Sequence, residues 1–173
     1  LALAHRVFGD PWPDVSDEAL LARAEEWLDL DALAAGRGSD ATSGLRGLLG
    51  WRESARLDEV VPETITVPSG SRIRIDYPEP GSDTSPVLAV KLQECFGWTD
   101  GPTVCDGRVR VVLHLLSPAR RPLAVTDDLA SFWASVYPAV RVENRGRYSK
   151  HPWPEDPMTA TPTKRTNRAL RGN

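Results

Sequence analysis

Proline placement constrains this chain more than any other feature. Pro11 and Pro13 are followed by none until Pro62, and thirteen of the fifteen prolines lie from Pro62 onward. A proline inside a helix removes one hydrogen bond and drives its ring into the preceding turn. Long uninterrupted helices therefore belong before residue 62. The β-branched residues divide at the same place. Between positions 14 and 61 there are only Val15, Thr42, Val60 and Val61, whereas seventeen lie between Thr64 and Thr126. A helical segment gives way to strands and turns near Pro62.

Within the first segment Ser16 is placed to cap a helix, with Asp17 and Glu18 in the first turn where the helix dipole favours negative charge. Leu20, Ala24, Trp27 and Leu28 follow at spacings that form one apolar stripe. Leu45, Leu48 and Leu49 begin another stripe, although Gly44, Gly47 and Gly50 each weaken a helix there by about 1 kcal/mol relative to alanine. Trp51 to Val61 reads as a further helix, ended by Pro62.

Strands are expected at Thr64–Val67, Arg72–Tyr77, Val87–Leu92, Arg108–Leu116 and Pro122–Val125. In the second of these Ile73, Ile75 and Tyr77 alternate with Arg72, Arg74 and Asp76, so one face is apolar and the other charged. Gln93–Gly97 reads as one helical turn. Thr126 is placed to cap a last helix whose core stripe is Leu129, Phe132, Trp133, Val136 and Val140, with Pro138 bending it. Trp27, Trp51, Trp98 and Trp133 fall in apolar stripes and are expected in the core. The expected architecture is α+β: a helical segment over residues 1–61, a β-rich domain with a C-terminal helix over 62–146, and an extended basic tail over 147–173. The β-rich part is expected to be a small five-stranded antiparallel sheet or an OB-like barrel, since three strands, a short helix and two strands is that barrel's element order.

The net charge of −3 conceals a division: residues 1–99 sum to −8 and residues 100–173 to +5. A basic C-terminal part on an acidic chain suits a polyanion. Cys95 and Cys105 are too few for a disulfide framework and lack paired spacing, as do Cys95, Cys105 and His114 as metal ligands, so reduced thiols and no metal are expected. No apolar run is long enough to span a bilayer, and the chain starts on Leu1 without a signal pattern. It reads as a cytoplasmic, soluble piece of something longer. The sequence contains no G-x-x-x-x-G-K-[ST], no H-E-x-x-H and no G-x-S-x-G, the motifs that would place an ATP phosphate site, a zinc protease site or a nucleophile elbow.

Four strings carry a resemblance. They are Val67-Pro-Ser-Gly-Ser-Arg-Ile-Arg-Ile-Asp-Tyr77, Leu88-Ala-Val-Lys-Leu-Gln-Glu-Cys-Phe-Gly97, the run from His114 to Trp133, and Arg145-Gly-Arg-Tyr-Ser-Lys-His-Pro-Trp-Pro-Glu-Asp-Pro157. In this order they resemble the C-terminal region of HrpB-type ATP-dependent helicases, members of the DExH-box RNA helicase class. The resemblance implies a parent with an upstream helicase core that uses ATP and Mg²⁺. This chain has no positions matching that ATP site, so it is expected to hold no cofactor itself. It also implies the upstream core of the same polypeptide as a partner; single-stranded RNA is a second candidate partner, and no membrane is expected.

Candidate nucleic-acid contacts follow from residue type. Arg145, Arg147, Tyr148 and Lys150 mix cations with an aromatic face, the combination that grips phosphates and stacks unpaired bases. Arg72 and Arg74 share one strand face and Arg108 and Arg110 another, so neighbouring strands would line a groove with four guanidiniums. Arg120 and Arg121 sit in a turn between prolines. The competing reading makes the chain a protein-interaction or structural module packed on the helicase core. In that reading the arginines are a solvated face and Trp153 anchors the tail.

Overall fold

A computed structural model describes residues 1–38 and 40–171. The elements run α1 (Ala2–Phe8), α2 (Asp17–Ala22), α3 (Ala24–Trp27), α4 (Leu30–Ala34), α5 (Ala41–Gly47) and α6 (Trp51–Val60). Then follow β1 (Thr64–Thr66), β2 (Arg72–Arg74), β3 (Val87–Lys91), a 3₁₀ turn at Leu92–Cys95, β4 (Thr103–Val104), β5 (Val109–Arg110), β6 (Val112–Leu116) and β7 (Pro122–Thr126). The chain closes with α7 (Leu129–Ser131), a π-helical turn at Phe132–Val136, α8 (Tyr137–Arg145) and α9 (Asn167–Arg171). It is an α+β chain of two compact units. The first is Leu1–Pro62 with Pro78–Thr84 and Val104–Arg108, and the second is Glu63–Tyr77, Ser85–Thr103 and the residues from Val109 on.

In the first unit the Ser16 hydroxyl caps α2 as its position predicts, accepting from the Ala19 N–H at 3.3 Å. The stripe from Leu20 to Leu28 is not one helix. Arg23, at φ −117°, separates α2 from α3, and Leu28 is extended. The break frees the Leu20 carbonyl, and the Trp27 indole N–H takes it at 2.9 Å. Trp51 corrects the expectation of a core position, since it is 84% exposed at the first position of α6. The buried side of α6 runs through Glu53, Leu57 and Val60, a helical spacing that leaves Trp51 off that face. Arg56 on the same helix pairs with Asp106 at 2.8 Å.

The second unit holds the sheets. β1 and β2 form the expected antiparallel hairpin, with Ile65 opposite Ile73, turning through Gly70 at φ +82°. The single five-stranded antiparallel sheet or OB-like barrel is corrected. β3 pairs with β6 in parallel and β6 with β7 antiparallel, giving a three-stranded sheet in the order β3-β6-β7, separate from the β1-β2 hairpin. Parallel neighbours require the chain to return to the starting end before the second strand begins. The excursion from Leu92 to Arg110 provides that return. The expected strand Arg108–Leu116 is interrupted at Val111, whose N–H turns aside to the Pro102 carbonyl at 2.9 Å. The alternation survives the break, with Val111, Leu113 and Leu115 all buried.

The last helix is capped by Asp128 rather than Thr126. The Asp128 carboxylate accepts from the Ser131 N–H at 2.9 Å, while the Thr126 hydroxyl serves the turn before it. Pro138 acts as expected of a helix-interior proline, with a specific outcome. The turn before it widens into a π-turn, so the Tyr137 N–H donates to Phe132 five residues back, relieving the clash the ring would make in an α-helical turn. This geometry brings Phe132, Trp133 and Tyr137 edge to face, with ring centroids 5.0 and 5.3 Å apart along the series. Phe96 closes the cluster at 6.1 Å from Trp133, whose indole N–H donates to the Trp98 carbonyl at 2.7 Å.

The segment from Tyr148 to Asn167 is docked in the second unit rather than free. Trp153 is buried at 9% exposure and donates its indole N–H to the Tyr148 carbonyl at 3.2 Å. Its own carbonyl accepts from Arg141 Nε at 2.9 Å, and the Tyr137 hydroxyl donates to the Pro154 carbonyl at 2.8 Å. Burial holds the Tyr137 phenol protonated, its pKa pushed up to about 12. Farther on, the Thr163 N–H donates to the Gln93 carbonyl at 2.8 Å, and the segment ends in α9.

Candidate nucleic-acid interface

The second unit carries fourteen basic and nine acidic side chains, and the first seven and fifteen. The charge division follows the structural units. In the second unit, basic residues gather where two strands part. Asp76 and Val87 exchange both backbone hydrogen bonds at 2.8 and 2.9 Å, the last pairing between β2 and β3 on that side. Beyond it the strands diverge around a cleft of about 350 Å³. Arg72, Ile73, Arg74 and Asp76 line it from β2 and its extension, Ala89, Val90 and Lys91 from β3, and Glu94, Leu116 and Arg120 close it.

Each basic side chain reaches the cleft for a local reason. Arg72 and Arg74 are on the polar face of a half-buried hairpin strand. Lys91 is the last residue of β3 and lies opposite Leu116 in the parallel register. The β6–β7 turn begins directly after Leu116, and it holds Arg120 in the left-handed region at φ +62°. A non-glycine residue there is strained, which the surrounding turn must offset. The Arg120 N–H donates to the Ser117 carbonyl, and the Ser117 N–H to the Arg121 carbonyl, both at 2.8 Å.

The cations are poorly neutralised. Arg72 bonds to the neutral Thr64 hydroxyl, and Arg74 stands 3.9 Å from Glu63 with both side chains more than three-quarters exposed. Among the described residues, Lys91 and Arg120 have no side-chain hydrogen bond or ion pair. The buried Glu94 carboxylate accepts from the Ser69 hydroxyl at 2.7 Å, tying the hairpin turn to the cleft floor.

Not all expected residues come together. Arg108 belongs to the first unit, where its guanidinium stacks 4.8 Å from the Phe8 ring. Arg110 belongs to the second and approaches the Asp127 carbonyl at 3.5 Å. Neither lines the cleft, and β5 is not a ladder neighbour of β2. The groove of four guanidiniums is therefore corrected to Arg72, Arg74, Arg120 and Lys91. Arg121 is exposed in the same turn as Arg120 but does not line the cleft. Arg145, Arg147 and Lys150 are exposed, and Tyr148 is half-buried with the Arg147 guanidinium 6.0 Å above its ring.

Residues 24–157 match the HrpB family described as the ATP-dependent helicase C-terminal region. The chain belongs to that HrpB C-terminal family. It is 48% identical over 162 residues to the ATP-dependent RNA helicase HrpB of Escherichia coli K12, covering 91% of this chain and 20% of that protein. The crystal structure of the E. coli DExH-box NTPase HrpB superposes with a TM-score of 0.84 at 45% identity, over 95% of this chain and 21% of that one. A structure of the Escherichia coli DEAH/RHA helicase HrpB gives 0.68 at 42% identity, over 88% and 20%. The chain thus spans about a fifth of the length of the HrpB proteins it matches. Among the cleft residues, Lys91 was not singled out by sequence reading. It ends a buried apolar strand inside one of the HrpB-like strings, and only the parallel pairing with β6 brings it to Arg120.

Lys91 also acts on His151, whose pKa is lowered chiefly by burial and secondly by that ammonium charge. A histidine depressed in the folded state stabilises the fold in its neutral form. That contribution is complete above the unfolded value of about 6.5 and is lost as pH falls below it. The urea midpoint is expected to fall from pH 8 to pH 5, and His151→Gln should flatten the fall. Parallel curves for the two proteins would remove His151 from the account.

Proposed function

We propose that this chain is a non-catalytic accessory domain of an HrpB-type ATP-dependent RNA helicase, helping the upstream core of the same polypeptide to hold single-stranded RNA in the cytoplasm. ATP and Mg²⁺ act in that core, and this chain holds neither. The observation that carries the reading is the cleft of the second unit, where Arg72, Arg74, Lys91 and Arg120 outnumber the two lining carboxylates, Asp76 and Glu94. Excess fixed positive charge on a surface concentrates a polyanion and releases its counterions on binding. The exposed Arg145, Arg147 and Lys150, with Tyr148, extend the basic surface of the same unit.

The test is fluorescence anisotropy of a labelled single-stranded RNA titrated with the chain at two salt concentrations. Binding in the micromolar range that weakens steeply with salt supports the reading. No binding at low salt overturns it.

A second reading has one observation behind it. Trp51 is 84% exposed on the acidic first unit, and exposed tryptophans often anchor protein interfaces. In that reading the domain packs on the helicase core or another protein without touching RNA. Trp51→Ala would then weaken association with the core and leave RNA affinity unchanged.

A further inference from the structure

The cleft has a feature that a mere basic patch lacks, which is two open strand edges. Just past β2, Ile75 gives its N–H to the Glu63 carbonyl, whereas Asp76 gives its own to Val87 on the other side. Alternation along the strand therefore turns the N–H of Arg74 toward β3. On β3, Pro86 serves β6 through its carbonyl and Val87 serves Asp76, so the N–H of Ala89 turns toward β2. Continuing the register of the Asp76–Val87 bridge would set Arg74 opposite Ala89 and Arg72 opposite Lys91. The ladder stops instead. Both edges keep their backbone donors facing the cleft, and open sheet edges of this kind make anion-binding concavities.

Side-chain parity adds the rest. Residues directly opposite share a face, so Arg72, Arg74, Asp76 and Lys91 stand on one side of the parted strands, and the small Ala89 leaves space between them. Arg120 joins from the β6–β7 turn. Among the described residues the exposed Asp76 carboxylate has no side-chain hydrogen bond or ion pair. A carboxylate accepts hydrogen bonds only, and a ribose 2′-hydroxyl can donate one to it where deoxyribose cannot.

We infer that the cleft between β2 and β3 seats one nucleotide of a single RNA strand. Its phosphate lies between Lys91, Arg120 and the backbone donors of Arg74 and Ala89, and its 2′-hydroxyl donates to Asp76. The volume of about 350 Å³ is at the small end of ligand sites and suits a single unit of the polymer. This deepens the RNA-holding role above and rests on it. It adds a discrimination that role does not require, namely RNA over DNA at one position.

The experiment uses the full chain with two fluorescein-labelled probes, a twelve-residue oligouridylate and its deoxyuridine counterpart, which differ only in the 2′-hydroxyl. The native chain is expected to favour the ribose probe by about tenfold, the size of one hydrogen bond to a charged group. Asp76→Ala should abolish that preference while holding the deoxy probe at least as well. Lys91→Ala with Arg120→Gly should weaken both probes at least tenfold and reduce the logarithmic salt slope by about 0.7, as expected for one lost phosphate contact on a single strand. Arg120→Gly removes a left-handed strain, and thermal melts of each variant confirm folding.

Failure is readable in separate ways. Equal affinity of the native chain for both probes overturns the ribose assignment. Native affinity in the Lys91/Arg120 variant, with loss on Arg145→Ala and Arg147→Ala, overturns the cleft and leaves the RNA-holding role intact. No binding of either probe overturns both. A polyglutamate peptide that competes as well as RNA shows that the cleft takes acidic protein instead.

Discussion

Replacing Trp153 with alanine is expected to lower stability by about 3–5 kcal/mol, the usual range for a buried tryptophan. The indole is 9% exposed, so nearly all of its apolar area is out of water in the fold. Its N–H bond to the Tyr148 carbonyl is lost with it. The backbone around it also anchors Arg141, which bonds to the Trp153 carbonyl and to Glu155 at 3.2 Å. The segment from Tyr148 to Pro157 should loosen as a whole, and the Pro154 carbonyl bond to Tyr137 should weaken. Chemical denaturation followed by far-ultraviolet circular dichroism gives the value. A midpoint equal to that of the native chain would contradict a docked tail. Arg145→Ala and Arg147→Ala are exposed changes and should leave the midpoint nearly unmoved, within about 0.5 kcal/mol.

Gly44→Ala is the second substitution with a large expected cost, about 3 kcal/mol, at the upper end of the range for overpacking. A Cβ at Gly44 would stand 1.8 Å from the Trp27 carbonyl oxygen, so backbone must shift to admit it. Gly47, in the same helix α5, meets nothing within 4 Å. Gly47→Ala should therefore stabilise by up to about 1 kcal/mol through helix propensity alone. Comparing thermal melts of the two variants separates close packing from intrinsic preference. Similar shifts of one sign would show that α3 and α5 do not approach as closely as described.

Those glycines also show what a sequence can and cannot reveal here. Both read as helix weaknesses, yet only the packing of α3 against α5 distinguishes Gly44 from Gly47. Local signals were legible: the Ser16 cap and the two strands that form the β1-β2 hairpin depend on nearest neighbours along the chain. The HrpB-like strings, longer than any short motif, identified the family. Strand order was not legible. The parallel pairing of β3 with β6 depends on the route taken from Leu92 to Arg110, which carries no periodic signal.

The candidate interface follows the same division. Arg72 and Arg74 were visible from their alternation with Ile73 and Ile75, and Arg120 and Arg121 from their turn. Setting Arg108 and Arg110 beside Arg72 and Arg74 failed because alternation along one strand says nothing of which strand lies next to it, and β5 pairs with β4 rather than β2. Lys91 and Asp76 remained hidden because their role arises from two strands parting after a single bridge. That event is set by tertiary packing, with no residue signature of its own.

Amide chemical-shift mapping of the ¹⁵N-labelled chain, titrated with unlabelled oligouridylate, reads the site of RNA contact residue by residue. RNA held in the β2–β3 cleft predicts the largest changes at Arg74, Ala89, Lys91 and Arg120, with Asp76 among them and the α6 amides still. Changes centred on Trp51 and α6, or none at saturating RNA, would contradict it.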